Sequence, residues 1–260
     1  MRLVDSHCHL NYEGLAERQD EVLASARERG VTGFLNISTR QREWNDVISV
    51  AEQNPDVWAT VGVHPHEADA HPDLGSAALV EAASHSRVIA IGECGLDYYY
   101  DKSDRAAQRG RFQAHIDAAR EAGLPLVVHT REAEADTAEI LERAVKEGGI
   151  TGVLHCFTGS AALARKGLDL GFYVSLSGIV TFKNAQELQE TARWLPSDQM
   201  LVETDSPFLA PVPHRGKPCE PAFVADTAAF VAELRGEEPD ALADATTANF
   251  YRLFSKARPS

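Results

Sequence analysis

The chain has 260 residues, 44% of them hydrophobic, with 25 lysines and arginines against 39 aspartates and glutamates, a net charge of −14 and a pI near 5.1. That apolar content, with no linker or low-complexity stretch, predicts one soluble domain over residues 1–260. The acidic balance argues against a protein that grips a long duplex through its phosphates, and no apolar run approaches the roughly 20 residues that span a bilayer.

Residue 3 opens an apolar run at once, with no basic-then-apolar signal segment, so the expected location is the cytoplasm. This first run ends in VDSHCH. His7 and His9 stand two apart, and a strand therefore points both rings the same way. An amphipathic stretch at 15–29 reads as helix, a second apolar run begins near Gly33, and 41–53 is again helical. The third run, near Ala59, ends in VGVHPHE and places His64 and His66 just past a strand. The fourth, near Val88, carries Glu93 in AIGECGLD, and helix 104–122 follows. The fifth, near Leu126, ends LVVHTR with His129 and Arg131, ahead of helix 133–147. The sixth, near Gly152, ends GVLHCF with His155; the seventh begins near Tyr173, with Lys183 beyond it, and precedes helix 185–194. The eighth, near Met200, ends LVETDSP with Glu203 and Asp205. A rigid loop follows, stiffened by Pro207, Pro211, Pro213, Pro218 and Pro221 and carrying His214, Arg215 and Lys217.

Strands that are apolar on both faces and alternate with helices predict a parallel sheet covered by helices. Eight such units in about 250 residues match a closed α/β barrel, the (β/α)8 TIM barrel. An open doubly wound sheet would gather ligands near one switch point. Here the ligand-type residues come from the first, fourth, fifth, sixth and eighth runs, and only closure brings the first and last together. The site is therefore expected at the C-terminal rim of the strands.

A single buried histidine is usually a core residue with satisfied hydrogen bonds. Five strand ends carrying His7, His9, Glu93, His129, His155 and Asp205 make coincidence a poor explanation, and neutral imidazoles with ionised carboxylates are what divalent ions require. Cys8, Cys94 and Cys156 each neighbour one of these positions, so strand alternation turns them toward the helix layer as small buried hydrophobes. No CxxC pair exists, and free thiols fit a reducing compartment. Arg131, Lys183, His214, Arg215 and Lys217 follow strand ends, where an isolated surface charge and an anion contact are about equally expected.

The stretches VDSHCHLN, VGVHPHE, IGECGLDYY, LPLVVHTRE, HCFTGS, SGIVTFKN and LVETDSPFLAPVPHRGKPCEPAFV resemble the TatD family of metal-dependent deoxyribonucleases, within the amidohydrolase-type barrels. The resemblance covers essentially the whole chain. It implies one ion on His7, His9, Glu93 and Asp205 and a second on Glu93, His129 and His155, with Glu93 bridging. The ligands suit Mg²⁺, Mn²⁺ or Zn²⁺. The implied activity is hydrolysis of DNA phosphodiesters, 3′-to-5′ from single-stranded ends, through a water activated by the two ions. Asp205, Glu93, His64 and Glu203 are the candidate catalytic residues, with Asp205 accepting the water's proton and Glu203 acting on metal or water or orienting a ligand histidine. His64, His66, Arg131, Arg215 and Lys217 are the candidate substrate contacts. Phe208 stands where the family commonly has tyrosine and Cys219 where it often has asparagine, which bears on substrate preference.

The same centre would also serve a small non-nucleic substrate such as a cyclic amide, lactone or phosphoester, and a third alternative is a non-catalytic metal-binding protein. No membrane and no obligate protein partner are expected.

Overall fold

A computed structural model describes residues 2–257. Eight strands, β1 (Leu3–Cys8), β2 (Val31–Asn36), β3 (Val57–Val61), β4 (Val88–Asp97), β5 (Leu126–Arg131), β6 (Gly152–Leu154), β7 (Tyr173–Leu176) and β8 (Met200–Val202), pair in parallel in chain order. The helices between them are α1 (Gln19–Glu28), α2 (Trp44–Gln53), α3 (Ser76–Ala83), α4 (Arg105–Ala122), α5 (Glu134–Gly148), α6 (Ala161–Asp169) and α7 (Gln186–Trp194), with α8 (Val224–Arg235) and α9 (Pro239–Leu253) after β8. The five helical stretches expected from the sequence all appear, the first two entered through short 3-10 turns at Ala16–Arg18 and Gln41–Glu43. None of the described helices is long and apolar enough to cross a membrane.

Closure runs between β1 and the segment that leaves β8. Ser6 Oγ donates to the Val202 carbonyl at 3.0 Å, Asp205 N–H to the His7 carbonyl and His9 N–H to the Ser206 carbonyl, both at 2.9 Å. A parallel bridge between Cys8 and Ser206 completes the (β/α)8 barrel. These bonds place His7 and His9 beside Asp205, which are almost two hundred residues apart in sequence.

The barrel is filled rather than hollow. Val4, Leu35, Trp58, Ile89, Val127, Val153, Tyr173 and Leu201, one from each strand, form one buried cluster with Phe250 and Leu253 of α9 and Phe254 just past it. Trp58 and Phe250 meet at 5.7 Å between ring centroids, so the ninth helix packs on the barrel's interior layer. A second, larger cluster lies between strands and helices and contains Cys8 and Cys94. Each deeply buried Val, Leu, Ile or Phe contributes about 1.5–3 kcal/mol by leaving water.

Local signals set the element ends. Asp104 caps α4 by accepting from the N–H groups of Ala106 and Ala107, and Gly123 ends it in the left-handed conformation. In the GECGLD stretch, a Cβ on Gly95 would lie 2.0 Å from the His129 carbonyl oxygen. Only glycine lets β4 approach β5 this closely between Glu93 and His129.

Candidate metal centre

The six ligand-type side chains converge at the C-terminal rim. Glu93, 3% exposed, stands at the middle. Its Oε1 lies 2.8 Å from His155 Nε2 and 3.3 Å from both His129 Nδ1 and His64 Nε2, while its Oε2 lies 3.4 Å from His7 Nε2. Asp205 Oδ1 faces His7 Nε2 at 3.5 Å and His9 Nε2 at 3.4 Å. Three overlapping donor groups result: His7 with Glu93 and His155, His7 with His9 and Asp205, and His64 with Glu93 and His129.

Which imidazoles have a lone pair for an ion follows from what the other ring nitrogen does. His9 Nδ1 donates to the Ile37 carbonyl at 3.3 Å, His129 Nε2 to Asp97 Oδ2 at 3.1 Å, and His155 Nδ1 to Glu203 Oε1 at 3.3 Å. In each ring the remaining nitrogen is the one that points at the centre. His7 is fully buried, and neither ring nitrogen has a hydrogen-bond partner among the described residues. An orphaned buried nitrogen costs free energy unless something fills the site, and a cation beside Glu93 and Asp205 would do so. The donor set therefore fits divalent ions.

His64 differs. Its Nδ1 accepts the His66 N–H at 3.1 Å, so the neutral ring carries its proton on Nε2. Burial holds its pKa down at about 4, which keeps the ring neutral. Its Nε2–H is a donor toward Glu93 or a bound anion, not a lone pair for an ion.

The carboxylates are ionised. Burial pulls Glu93 upward, but His155 and His64 outweigh it and hold the group well below the usual range. Asp205 is likewise raised by burial and lowered more by His9, His7 and His155. Burial depresses His7, whereas for His9, His129 and His155 the neighbouring carboxylates outweigh burial and raise the pKa. Ions entering this cluster would displace protons from those rings.

Two supporting carboxylates hold the histidines. Glu203 is fully buried, and its Oε1 accepts from His155 Nδ1 and from the Cys156 N–H at 2.7 Å. It does not border the cavity, so the structure places it behind His155. Asp97, also fully buried, received no role from the sequence. Its Oδ2 accepts from His66 Nε2 at 2.8 Å and from His129, and its Oδ1 accepts the N–H groups of Tyr99 and Tyr100. The signal was present: an acid four residues beyond Glu93 on a strand otherwise apolar.

The centre opens into a cavity of about 1060 Å³. His64, His66, Arg131, Asp205 and Phe208 line it. Arg40, Tyr100 and Lys102 also line it and were not singled out in the sequence. Arg215 and Lys217 are exposed but do not border it. The Arg215 guanidinium instead lies 3.6 Å over the Phe182 ring. His214 stacks on Phe223 at 3.8 Å and pairs with Asp226, a structural arrangement. Cys219 is fully buried away from the cavity, so of the two positions expected to bear on substrate preference only Phe208 faces it.

One cysteine departs from the alternation rule. Cys8 and Cys94 face the helix layer, but Cys156 lines the cavity with its Sγ 3.3 Å from Ser177 Oγ. β6 stops at Leu154, and Cys156 adopts a φ of +42°, so strand alternation no longer governs it. Asp205 has a φ of +58°, likewise past the end of its strand. Such conformations cost of order 1–3 kcal/mol and persist where the surroundings fix them.

A parallel eight-stranded barrel with histidine and carboxylate donors gathered at its C-terminal rim defines a metal-dependent hydrolase. The chain belongs to the TatD family: the family profile described as TatD related DNase matches residues 4–255. It is 47% identical over 258 residues to the uncharacterized metal-dependent hydrolase YcfH of Escherichia coli K12, covering 98% of this chain and 96% of that protein. It is 36% identical over 259 residues to the 3′-5′ ssDNA/RNA exonuclease TatD of Erwinia tasmaniensis, covering 97% of this chain and all of that protein. Among solved structures, YjjV, a TatD homologue from Escherichia coli K12, superposes with a TM-score of 0.91 at 28% identity, over 98% of each chain.

Proposed function

We propose that the chain hydrolyses phosphodiester bonds of DNA, trimming single-stranded ends in the 3′-to-5′ direction with two divalent ions, Mg²⁺, Mn²⁺ or Zn²⁺. The observation that supports this reading is Glu93 at the middle of the donors, its Oε2 3.4 Å from His7, which also groups with His9 and Asp205, and its Oε1 2.8 Å from His155 and 3.3 Å from His129. The Erwinia relative, an exonuclease by name, supports nucleic acid as substrate.

When bound, the ions supply Lewis acidity for the phosphoryl oxygens and acidify the attacking water. Asp205 borders the cavity with its side chain 15% exposed, from where it would accept a proton from the attacking water as well as help hold an ion. His64 presents Nε2–H to a phosphoryl oxygen, a position its hydrogen bond from His66 fixes. Glu203 holds His155 in the tautomer that frees Nε2, and Asp97 does the same for His129 Nδ1. Arg131 adds positive charge at the cavity wall of an otherwise acidic molecule, whereas Arg40 is paired there with Glu43 and Glu67.

The test is metal analysis of the purified protein together with hydrolysis of single-stranded DNA, duplex DNA, RNA and a lactone and ester panel, for wild type and Glu93→Ala. The expected result is preferential loss of mononucleotides from single-stranded 3′ ends, with Glu93→Ala inactive and depleted in metal. Turnover of lactones but not DNA would transfer the centre to a small-molecule substrate. Full activity and two ions per chain in Glu93→Ala would refute the bridging assignment.

A further inference from the structure

Beside the donor groups the cavity has one wall whose composition the metal chemistry does not require. Tyr99 and Tyr100 are 57% and 50% exposed, two of the four large apolar side chains most open to water among the described residues. Their rings meet edge to face at 4.9 Å. The Arg131 guanidinium lies over both, 4.1 Å from the centroid of Tyr99 and 4.8 Å from that of Tyr100, and the Lys102 ammonium lies 5.6 Å from Tyr100. Tyr98, the preceding residue, behaves otherwise: its hydroxyl is tied to Asp136. Of the three tyrosines, Tyr100 is the one that borders the cavity.

From this wall we propose that Tyr100, backed by Arg131, is a stacking platform for the nucleobase next to the phosphate held at the centre. The proposal deepens the nucleic-acid reading above and rests on it. Three features support it. An aromatic face in a cation-bearing wall matches a flat base joined to an anionic backbone, and the cations stand out in a chain of net charge −14. The platform is also tethered before any ligand arrives. Asp97 Oδ1 accepts the Tyr100 N–H at 2.9 Å, while the other oxygen of the same carboxylate holds His129 and His66. The ring of Tyr100 further packs edge-on against His66 at 5.3 Å. A platform fixed in this way binds with little loss of side-chain freedom. Finally, the tether sets register: one carboxylate fixes both the base wall and an imidazole aimed at Glu93. The backbone that carries the base wall is thus tied to the same carboxylate as an imidazole of the centre.

Exposed tyrosine faces are sequence-tolerant, since every base offers a π-face, so the platform should discriminate a base from no base more than one base from another. The Arg131 guanidinium donates one N–H to the Tyr100 hydroxyl at 3.5 Å and has further N–H groups for phosphate oxygens. Arg131 can therefore touch the backbone while Tyr100 touches the base.

The experiment titrates metal-loaded protein with thymidine 5′-monophosphate and with 2-deoxyribose 5-phosphate, which share phosphate and sugar but differ in the base. Wild type, Tyr100→Ala, Tyr100→Phe and Phe208→Ala are compared. The expected result is a preference of roughly tenfold for the base-bearing ligand, from the 1–3 kcal/mol typical of base–aromatic stacking. Tyr100→Ala should bring the ratio near one, and Tyr100→Phe, which keeps the ring, should preserve it. Tyr100 is half exposed, so truncation is not expected to perturb the core, and retained metal content in the variant checks this. A ratio near one in wild type would overturn the proposal. So would a ratio that survives Tyr100→Ala, or one lost in Phe208→Ala instead. Hydrolysis of single-stranded DNA is measured in parallel, so that the two readings fail separately. A base preference without DNA hydrolysis leaves the platform and removes the nuclease. DNA hydrolysis without a base preference leaves the nuclease and removes the platform.

Discussion

Replacing Asp97 with asparagine tests whether proton positions on the imidazoles build the metal centre. Asp97 is buried, and although burial raises its pKa, hydrogen bonds from His129, His66 and the Tyr100 N–H hold it well below the usual carboxylate range. In Asp97→Asn the amide oxygen can keep the N–H groups of Tyr99 and Tyr100. The NH2 group then takes the place of Oδ2 and faces the Nε2 atoms of His66 and His129. With His129 in its present tautomer two donors oppose each other. The ring can relieve this by moving its proton to Nδ1, the nitrogen 3.3 Å from Glu93 Oε1, and it then has no lone pair for an ion there. Loss of such a supporting partner typically costs 10–100-fold in metal affinity, or about 1.4–2.7 kcal/mol. In the proposed two-ion arrangement the whole cost should fall on the ion that His129, His155 and Glu93 would share, while the one that His7, His9 and Asp205 would hold stays nearly unchanged. Competition titration against a chromophoric chelator resolves the two dissociation constants. Two constants within about twofold of wild type would refute the tautomer mechanism, because the argued loss is at least about tenfold.

Further outcomes follow from the cavity wall and from a remote histidine. Arg131→Ala should lower kcat/KM on an oligonucleotide by roughly tenfold with metal content unchanged, since one charge-assisted contact is lost. Arg215→Ala, whose guanidinium sits on Phe182 outside the cavity lining, should change it by less than about twofold, and a larger loss for Arg215→Ala would reverse their roles. Buried His115 accepts the Val63 N–H and donates to the Arg111 carbonyl, and burial lowers its pKa from 6.5 to about 4. Below pH 6.5 the unfolded chain takes up a proton that the native chain refuses until about pH 4, so this group's stabilisation is complete above 6.5 and lost as pH falls through 4. Between pH 7 and 4.5, His115→Gln should lose about 2–3 kcal/mol less unfolding free energy than wild type, read by urea denaturation at each pH. Equal losses in both proteins would mean that His115 titrates alike in the native and unfolded chains.

The barrel and its donor residues were legible in the sequence because both rest on local pattern. Apolar runs on both faces declared parallel strands, and ligand-type residues declared themselves by closing those runs. The loops were less legible, for a physical reason: past a strand's last ladder bond, side-chain direction depends on tertiary contacts. β6 ends at Leu154, so alternation assigned Cys156 to the wrong layer. Arg215 follows the strand bearing Asp205, yet the Phe182 ring captures it. Lys102 and Arg40 come from segments with no apolar run to frame them, and only folding brings them to the cavity.

A subtler property also escapes the sequence. His64 and His129 have the same side chain, both lie 3.3 Å from Glu93 Oε1, and distance alone would make both of them ligands. They are separated by what touches the far nitrogen. His129 gives its proton to Asp97 and so turns a lone pair toward the centre, whereas His64 receives a backbone N–H and so turns a proton toward it. One ring is thereby suited to hold a cation and the other to meet the anion that the cation attracts. The difference arises from the short turn His64–His66, where the chain doubles back on its own imidazole, and from an acid four residues after Glu93. The proposed division of labour between binding metal and binding phosphate thus rests on the second contact of each histidine.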